Sequence, residues 1–281
     1  MSPEKSSMRL FTEVRGRGYP ILCLHGHPGN GRCMGVFTTM LSQQFQTITP
    51  DLRGYGKSQT SGRFVMSDHL SDLAELLQRL NVHECVVLGW SLGGILAMEL
   101  ALQYPQQVSG LILLGTAARP RGDHPPISWQ DNLLTGVASL INWMQPGQPW
   151  HINLLGRQSL YRHLLQRHTP KAYQHLADEG LWAFVQTSKS AQSALNQALQ
   201  QGYNRLPAVK QITAPSLVLC GDRDRHITAI ASQETARQLP NSTCKTYAQT
   251  AHLFPWEIPN EVQSDISAWL EQHFATKKST P

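Results

Sequence analysis

The chain has 281 residues, 41% of them apolar, and a formal charge of +5. That length suits one large domain, or one domain with an insertion, and supports a sizeable core. No stretch is long and apolar enough to span a bilayer, and residues 1–8 hold no apolar run after Lys5, so neither a membrane span nor a signal peptide is expected.

In chain order, residues 8–14 suggest an edge strand, ended by the turn-rich Arg15-Gly16-Arg17-Gly18. Residues 20–24 are a short apolar strand running into His25-Gly26-His27-Pro28-Gly29. Residues 35–45 are helix-like, and residues 47–50 form a strand leading to Asp51-Leu52-Arg53-Gly54-Tyr55-Gly56-Lys57-Ser58. Leu70, Leu73, Ala74, Leu76, Leu77 and Leu80 then recur at helical spacing over 68–80, with Ser67 as the expected cap. A buried strand from Cys85 passes through Gly89-Trp90-Ser91-Leu92-Gly93 into an apolar helix that stops before Pro105. Residues 111–114 give a further strand. Short, continuously apolar strands alternating with helices imply a mostly parallel, doubly wound α/β sheet covered on both faces.

From residue 116 to 213 the alternation stops. Helical patterns at 129–144, 154–166, 170–187 and 191–201 are separated by Pro- and Gly-rich loops, which predicts an all-helical cap inserted into a core made of residues 1–115 and 214–281. Trp129, Trp143, Trp150 and Trp182 fall in this insertion. Most are expected to pack between cap helices, with one or two lining a ligand pocket. Alternation resumes with strands at 216–220 and 244–247, helices at 228–239 and 259–274, and a polar tail at 277–281.

Between residues 117 and 213 nine Lys or Arg stand against four Asp or Glu, so the cap carries the whole net charge. Such a segment draws anionic substrates or makes weak contact with a membrane surface, or is simply a solvated face. It lacks the aromatic-basic interleaving of a nucleic-acid module, so no nucleic-acid partner is expected. The cysteines (Cys23, Cys33, Cys85, Cys220, Cys244) are odd in number and lack metal-ligand spacing. They fit free thiols in a reducing cytoplasm, and no metal or cofactor is expected.

Ser91 marks the chemistry. A serine on a sharp strand-to-helix turn exposes its hydroxyl above the sheet, where the helix N-terminus faces any negative charge that forms. A hydroxyl is a poor nucleophile without a base, and the base needs a partner that fixes its tautomer. His252, in the loop after the last strand, is the expected base and His226 its nearest rival. His124, His151, His163, His168 and His175 are expected on the cap surface. Asp222 and Asp224 both follow the 216–220 strand, and spacing does not choose between them. An oxyanion would need two amide donors, expected from Leu92 and His27.

Taken together, His25-Gly26-His27-Pro28-Gly29, the Asp51–Ser58 motif, the Ser91 elbow, Gly221-x-x-Asp224 and His252-x-x-Pro255-x-Glu257 resemble the α/β-hydrolase superfamily. The resemblance covers the core; the cap matches only in position and helicity. It implies Asp224 rather than Asp222 as the acid, and supports His252 as base and His27 at the oxyanion position. The first-loop and Asp51 motifs look most like the epoxide hydrolase and haloalkane dehalogenase branch, which uses an aspartate nucleophile. Ser91 in that place implies acyl chemistry: a serine hydrolase cleaving an ester, thioester or lactone of a small, partly apolar substrate. The same triad also serves carbon–carbon hydrolysis of a diketone and amide or peptide cleavage, and the fold also serves as a ligand receptor. Oligomeric state is not readable from the sequence.

Overall fold

The structure, a computed structural model, describes residues 8–177 and 179–275; the N-terminal stretch 1–7 and the polar tail 277–281 lie outside the described residues. Seven strands, β1 (Thr12–Arg15), β2 (Pro20–Leu24), β3 (Gln46–Pro50), β4 (Cys85–Trp90), β5 (Val108–Leu114), β6 (Ser216–Gly221) and β7 (Ser242–Tyr247), form one sheet in the order β1-β3-β2-β4-β5-β6-β7. Only β1 is antiparallel to its neighbour.

The core helices are α1 (Gly35–Leu41), α2 (Asp68–Arg79) and α3 (Leu92–Gln103) before the insertion. Among the described residues the insertion holds helices and no strand: α4 (Trp129–Met144), α5 (Pro149–Leu154), α6 (Tyr161–Leu164), α7 (Pro170–Ala177), α8 (Gly180–Val185) and α9 (Lys189–Gln200). After it come α10 (Ala229–Gln238), α11 (Phe254–Glu257) and α12 (Pro259–Phe274).

Side chains alternate across the sheet because successive residues of a strand point to opposite faces. Leu22, Leu24 and Val87 join Leu73, Leu77, Leu96 and Leu100 of α2 and α3 on one side. Ile21, Cys23, Val86 and Leu88 join Phe37 and Leu41 of α1 and Ile266 and Leu270 of α12 on the other. Both faces of β4 and β6 are therefore buried, as their unbroken apolar runs require.

Several expectations are corrected. The edge strand begins at Thr12, not residue 8, because the amides of Met8 and Phe11 donate to Asp72 and Ser58 side chains rather than to a neighbouring strand. β5 starts three residues early, at Val108; Gly110 interrupts its apolar run because a Cβ there would meet Phe274 at 2.8 Å. Ser67 makes no side-chain capping bond to α2; instead the Asp68 carboxylate accepts the Val65 amide at 2.9 Å. The helix expected over 154–166 is split at Gly156, where a Cβ would sit 2.2 Å from the Tyr173 hydroxyl. Pro149, expected in a loop, opens α5, where its missing N–H costs nothing. The helix expected over 170–187 is two, with Glu179 between them paired to Arg32 of the core. Cys23, Cys33, Cys85 and Cys220 are buried free thiols, while Cys244 is exposed on the edge strand β7.

Candidate active site

The turn between β4 and α3 places Ser91 at φ 54° and ψ −116°, a left-handed conformation that costs a non-glycine residue about 1–3 kcal/mol. Neighbouring groups hold it there. The Ser91 amide donates to Leu114 O at 2.9 Å, and its carbonyl accepts from the Thr116 hydroxyl at 2.8 Å and from the Gly94 amide at 3.0 Å. The flanking glycines are dictated by contact: a Cβ on Gly89 would lie 2.3 Å from Gly93 O, and one on Gly93 would lie 2.1 Å from Leu24 O. β2, β4 and α3 meet here at backbone distance.

The loop after β2 passes over this turn, and a Cβ on Gly26 would lie 2.7 Å from the Trp90 ring and 3.2 Å from Ser91 Cβ. His25 locks the loop from below. Its Nδ1–H donates to Gly26 O at 2.8 Å, and its Nε2 accepts the Leu52 amide at 3.1 Å. Burial lowers its pKa to about 4. The Asp51 motif is structural in the same way: its two carboxylate oxygens accept the Gly31 and Lys57 amides, each at 2.7 Å. Arg53 forks onto Asp72.

His27 is half-buried. Its Nε2–H donates to Gln192 Oε1 of α9 at 2.8 Å, and its Nδ1 accepts from the Tyr55 hydroxyl at 2.9 Å, which fixes one neutral tautomer. Burial pushes its pKa below the ordinary histidine value, against the Gln192 hydrogen bond. Neither the His27 nor the Leu92 amide donates to another group among the described residues, and Leu92 lines the same cleft as Ser91.

His252, after β7, is buried and its Nδ1 contacts Asp224 Oδ2 at 2.8 Å. The other Asp224 oxygen accepts the amides of His226 (2.8 Å) and Ile227 (2.9 Å), so the carboxylate cannot turn away. Asp222 is exposed; its contacts are the Thr250 amide at 3.3 Å and Arg223 at 3.8 Å. The His252 ring abuts Gly115, the residue after Leu114, whose carbonyl holds the Ser91 amide; a Cβ on Gly115 would lie 3.3 Å from Nδ1. Ser91 and His252 therefore share one rim of the sheet. No hydrogen bond joins the Ser91 hydroxyl to His252.

Sequence reasoning missed a second imidazole pair. His226 Nδ1 lies 3.1 Å from His124 Nε2 with the two rings coplanar within 1° and their centres 5.4 Å apart, so they meet edge to edge. His124 Nδ1–H donates to Pro125 O at 2.8 Å, which leaves its Nε2 facing His226. The His226 ring lies across His252 at 4.7 Å and has its pKa pushed well below the ordinary value by burial, then by His252 and His124. His124 is thus beside the site rather than free on the cap surface. His151 is also no surface residue: it is buried, with Nε2 on Gln145 O at 2.7 Å. No pattern in the sequence links positions 124 and 226.

The Ser91 cleft has a volume of about 420 Å³, in the range of small-molecule sites. Leu92, Ile95, Leu195 and Leu199 supply its apolar wall, and His27, His226, Arg119 and Arg121 its polar one. None of the four cap tryptophans lines it. All four are exposed instead, Trp129 to 71%.

Comparison with known proteins agrees with this architecture. The chain is 23% identical to the uncharacterized hydrolase YugF of Bacillus subtilis over 259 residues, 89% of each chain. Over 135 residues, 48% of this chain and 52% of the relative, it is 33% identical to the pimeloyl-[acyl-carrier protein] methyl ester esterase of Vibrio campbellii. A thermophilic esterase from Thermogutta terrifontis superposes with a TM-score of 0.70 over 94% of each chain, at 26% identity. The family signature described as alpha/beta hydrolase fold matches residues 19–259, and the chain belongs to that family.

Proposed function

We propose that this hydrolase cleaves a carboxylic ester-type bond (ester, thioester or lactone) of a small, partly apolar substrate through an acyl-enzyme on Ser91. The observation that carries the reading is the 2.8 Å contact of His252 with Asp224 at the sheet rim that also presents Ser91 on its strained turn. With Asp224 on Nδ1, His252 holds its proton there and leaves Nε2 as the base.

Ser91 Oγ attacks the carbonyl carbon while its proton passes to Nε2. The amides of Leu92 and His27 hold the resulting oxyanion; losing one such donor costs about 3 kcal/mol of transition-state stabilisation. Collapse expels the alcohol, thiol or ring oxygen, which takes the proton from His252. Water then gives a proton to Nε2 as its oxygen attacks the acyl carbon; collapse breaks the bond to Ser91 Oγ, which takes the proton back from Nε2, and the acid is released. The leucine wall of the cleft supports an apolar acyl part, and the esterase relatives support an ester-type bond.

The test is a fluorophosphonate label with mass mapping, followed by p-nitrophenyl esters of graded chain length with Ser91→Ala as the blank. Label on the Ser91 peptide and ester turnover lost in Ser91→Ala is the expected result. Label elsewhere, or turnover of β-diketones but not esters, would replace this reading.

A further inference from the structure

α4 is built inside out. A helix on a protein surface normally turns its apolar stripe inward and its polar face to water. Here the buried residues are Ala138, Ser139 and Asn142. The polar pair is fully employed: Ser139 Oγ bonds the Tyr161 hydroxyl at 2.9 Å, and Asn142 donates to Tyr173 O at 2.7 Å and accepts the Gly147 amide at 3.0 Å. Six of its eight large apolar residues point the other way, while Leu134 and Ile141 are half-buried. Trp129 (71%), Leu133 (61%), Met144 (58%), Trp143 (45%), Leu140 (43%) and Val137 (39%) are exposed along its 16 residues, about 24 Å of helix.

The patch extends beyond one helix. Trp182 of α8 meets Trp143 edge to face at 6.1 Å, and Trp150 of α5 reaches back to Gln145 at 3.2 Å. Soluble monomers rarely expose so contiguous an apolar surface without a use for it.

Charge decides what covers it. Among the described residues, Asp131 on α4 and Glu179 at the start of α8 are already paired with Arg162 and Arg32. Arg157 and Lys171, on elements packed against α4, are exposed and have no acidic partner among the described residues. The inserted segment as a whole carries nine basic residues against four acidic ones, while the rest of the chain is neutral. A second copy docked on this face would set like charge against like, which opposes pairing. Anionic headgroups around a layer that accepts tryptophan and leucine satisfy both features. Among the described residues no helix is long and apolar enough to cross a membrane, so the contact is interfacial.

We propose that the exposed face of α4, with Trp150 and Trp182 beside it, docks the cap onto a bilayer containing anionic lipid. This reading stands apart from the hydrolase assignment and does not need it. The probe is sucrose-loaded phosphatidylcholine vesicles with and without phosphatidylglycerol, using the full chain. We expect co-sedimentation with the anionic vesicles and a blue shift of tryptophan emission. Raising salt from about 50 to about 500 mM should weaken binding at least tenfold. Trp129→Ser with Leu133→Gln should weaken it about tenfold or more, with unchanged circular dichroism because neither side chain packs inside. Arg157→Glu with Lys171→Glu should remove the preference for anionic vesicles. Absence of binding at low salt overturns the proposal. So does sedimentation velocity showing a dimer that Leu133→Gln dissolves, since the face would then belong to a second copy.

Discussion

Replacing Asp224 by asparagine tests the reading of the site at one atom. Oδ1 of Asp224 accepts the His226 and Ile227 amides, and an asparagine must keep its carbonyl oxygen there. Its amide nitrogen then faces His252 Nδ1, which lies 2.8 Å from the present Oδ2. An amide N–H against that nitrogen demands the opposite histidine tautomer, with the proton on Nε2, and a protonated Nε2 cannot accept a proton from Ser91. In serine proteases the same change lowers turnover about 10⁴-fold, or about 5 kcal/mol of activation free energy. The fold should lose only about 1 kcal/mol, since the two backbone bonds survive and one neutral hydrogen bond replaces a charge-assisted one. Initial rates on a p-nitrophenyl ester, with urea unfolding alongside, measure both. Asp222→Asn, on an exposed side chain, should change rates less than about twofold. An Asp224→Asn enzyme within about tenfold of the parent, or an Asp222→Asn enzyme as inactive as expected for 224, would refute the assignment.

Two further outcomes follow from groups around the site. Burial lowers the pKa of His25 to about 4 and of His69 to about 3, so both stay neutral in the fold while the unfolded chain takes up protons near pH 6.5. Their contribution is complete above pH 6.5 and falls with pH towards 4, by about 1.4 kcal/mol per pH unit for each ring. Unfolding free energies from urea titrations at pH 7.5 and 5 should differ by several kcal/mol, and His69→Phe should flatten that slope; equal stability at the two pH values would contradict it. Gly56→Ala places a Cβ 2.2 Å from Asp51 Oδ2 at φ +51°, so the Asp51 bonds to Gly31 and Lys57 must break. A loss of about 3 kcal/mol in urea unfolding is expected, and an unchanged midpoint would show that the Asp51 loop is softer than its contacts imply.

The sheet was legible in the sequence because buried parallel strands leave continuous apolar runs, and the place of the candidate site because its residues follow the ends of those runs. Ser91, Asp224 and His252 each stand just beyond a strand whose neighbours are hydrogen-bonded to it, so strand order alone brings them to one edge. The cap was less legible for physical reasons. Helical periodicity marks which residues share a face but not which way the face points, and α4 turns its apolar face outward. The Gly156 break is imposed by Tyr173 from another helix, and the His124–His226 pair spans 102 positions. Contacts of that kind leave no trace in local spacing.

What the insertion contributes to the candidate site comes less from its helices than from the segment by which it leaves the sheet. Leu114 O and the Thr116 hydroxyl hold the Ser91 backbone from both sides of its peptide. Gly115, at φ +52°, leaves the space into which the His252 ring fits. Ala118 ties the segment down through its amide on the Thr235 hydroxyl and its carbonyl under the Arg205 amide. A few residues on, His124 Nε2 meets His226 Nδ1 at 3.1 Å, and the His226 ring lies across His252. Residues 114–124 therefore touch the Ser91 backbone, the His252 ring and the neighbour of Asp224, though they supply none of these three proposed catalytic residues. A substitution at Leu114, Gly115 or Thr116 should act on the geometry of the candidate site before it acts on the core, because these residues contact Ser91 or His252 directly. α4, with its outward apolar face, begins at Trp129 only four residues after Pro125, whose carbonyl orients His124. The cap's outer face and the site's imidazoles are thus covalent neighbours along one short stretch of chain.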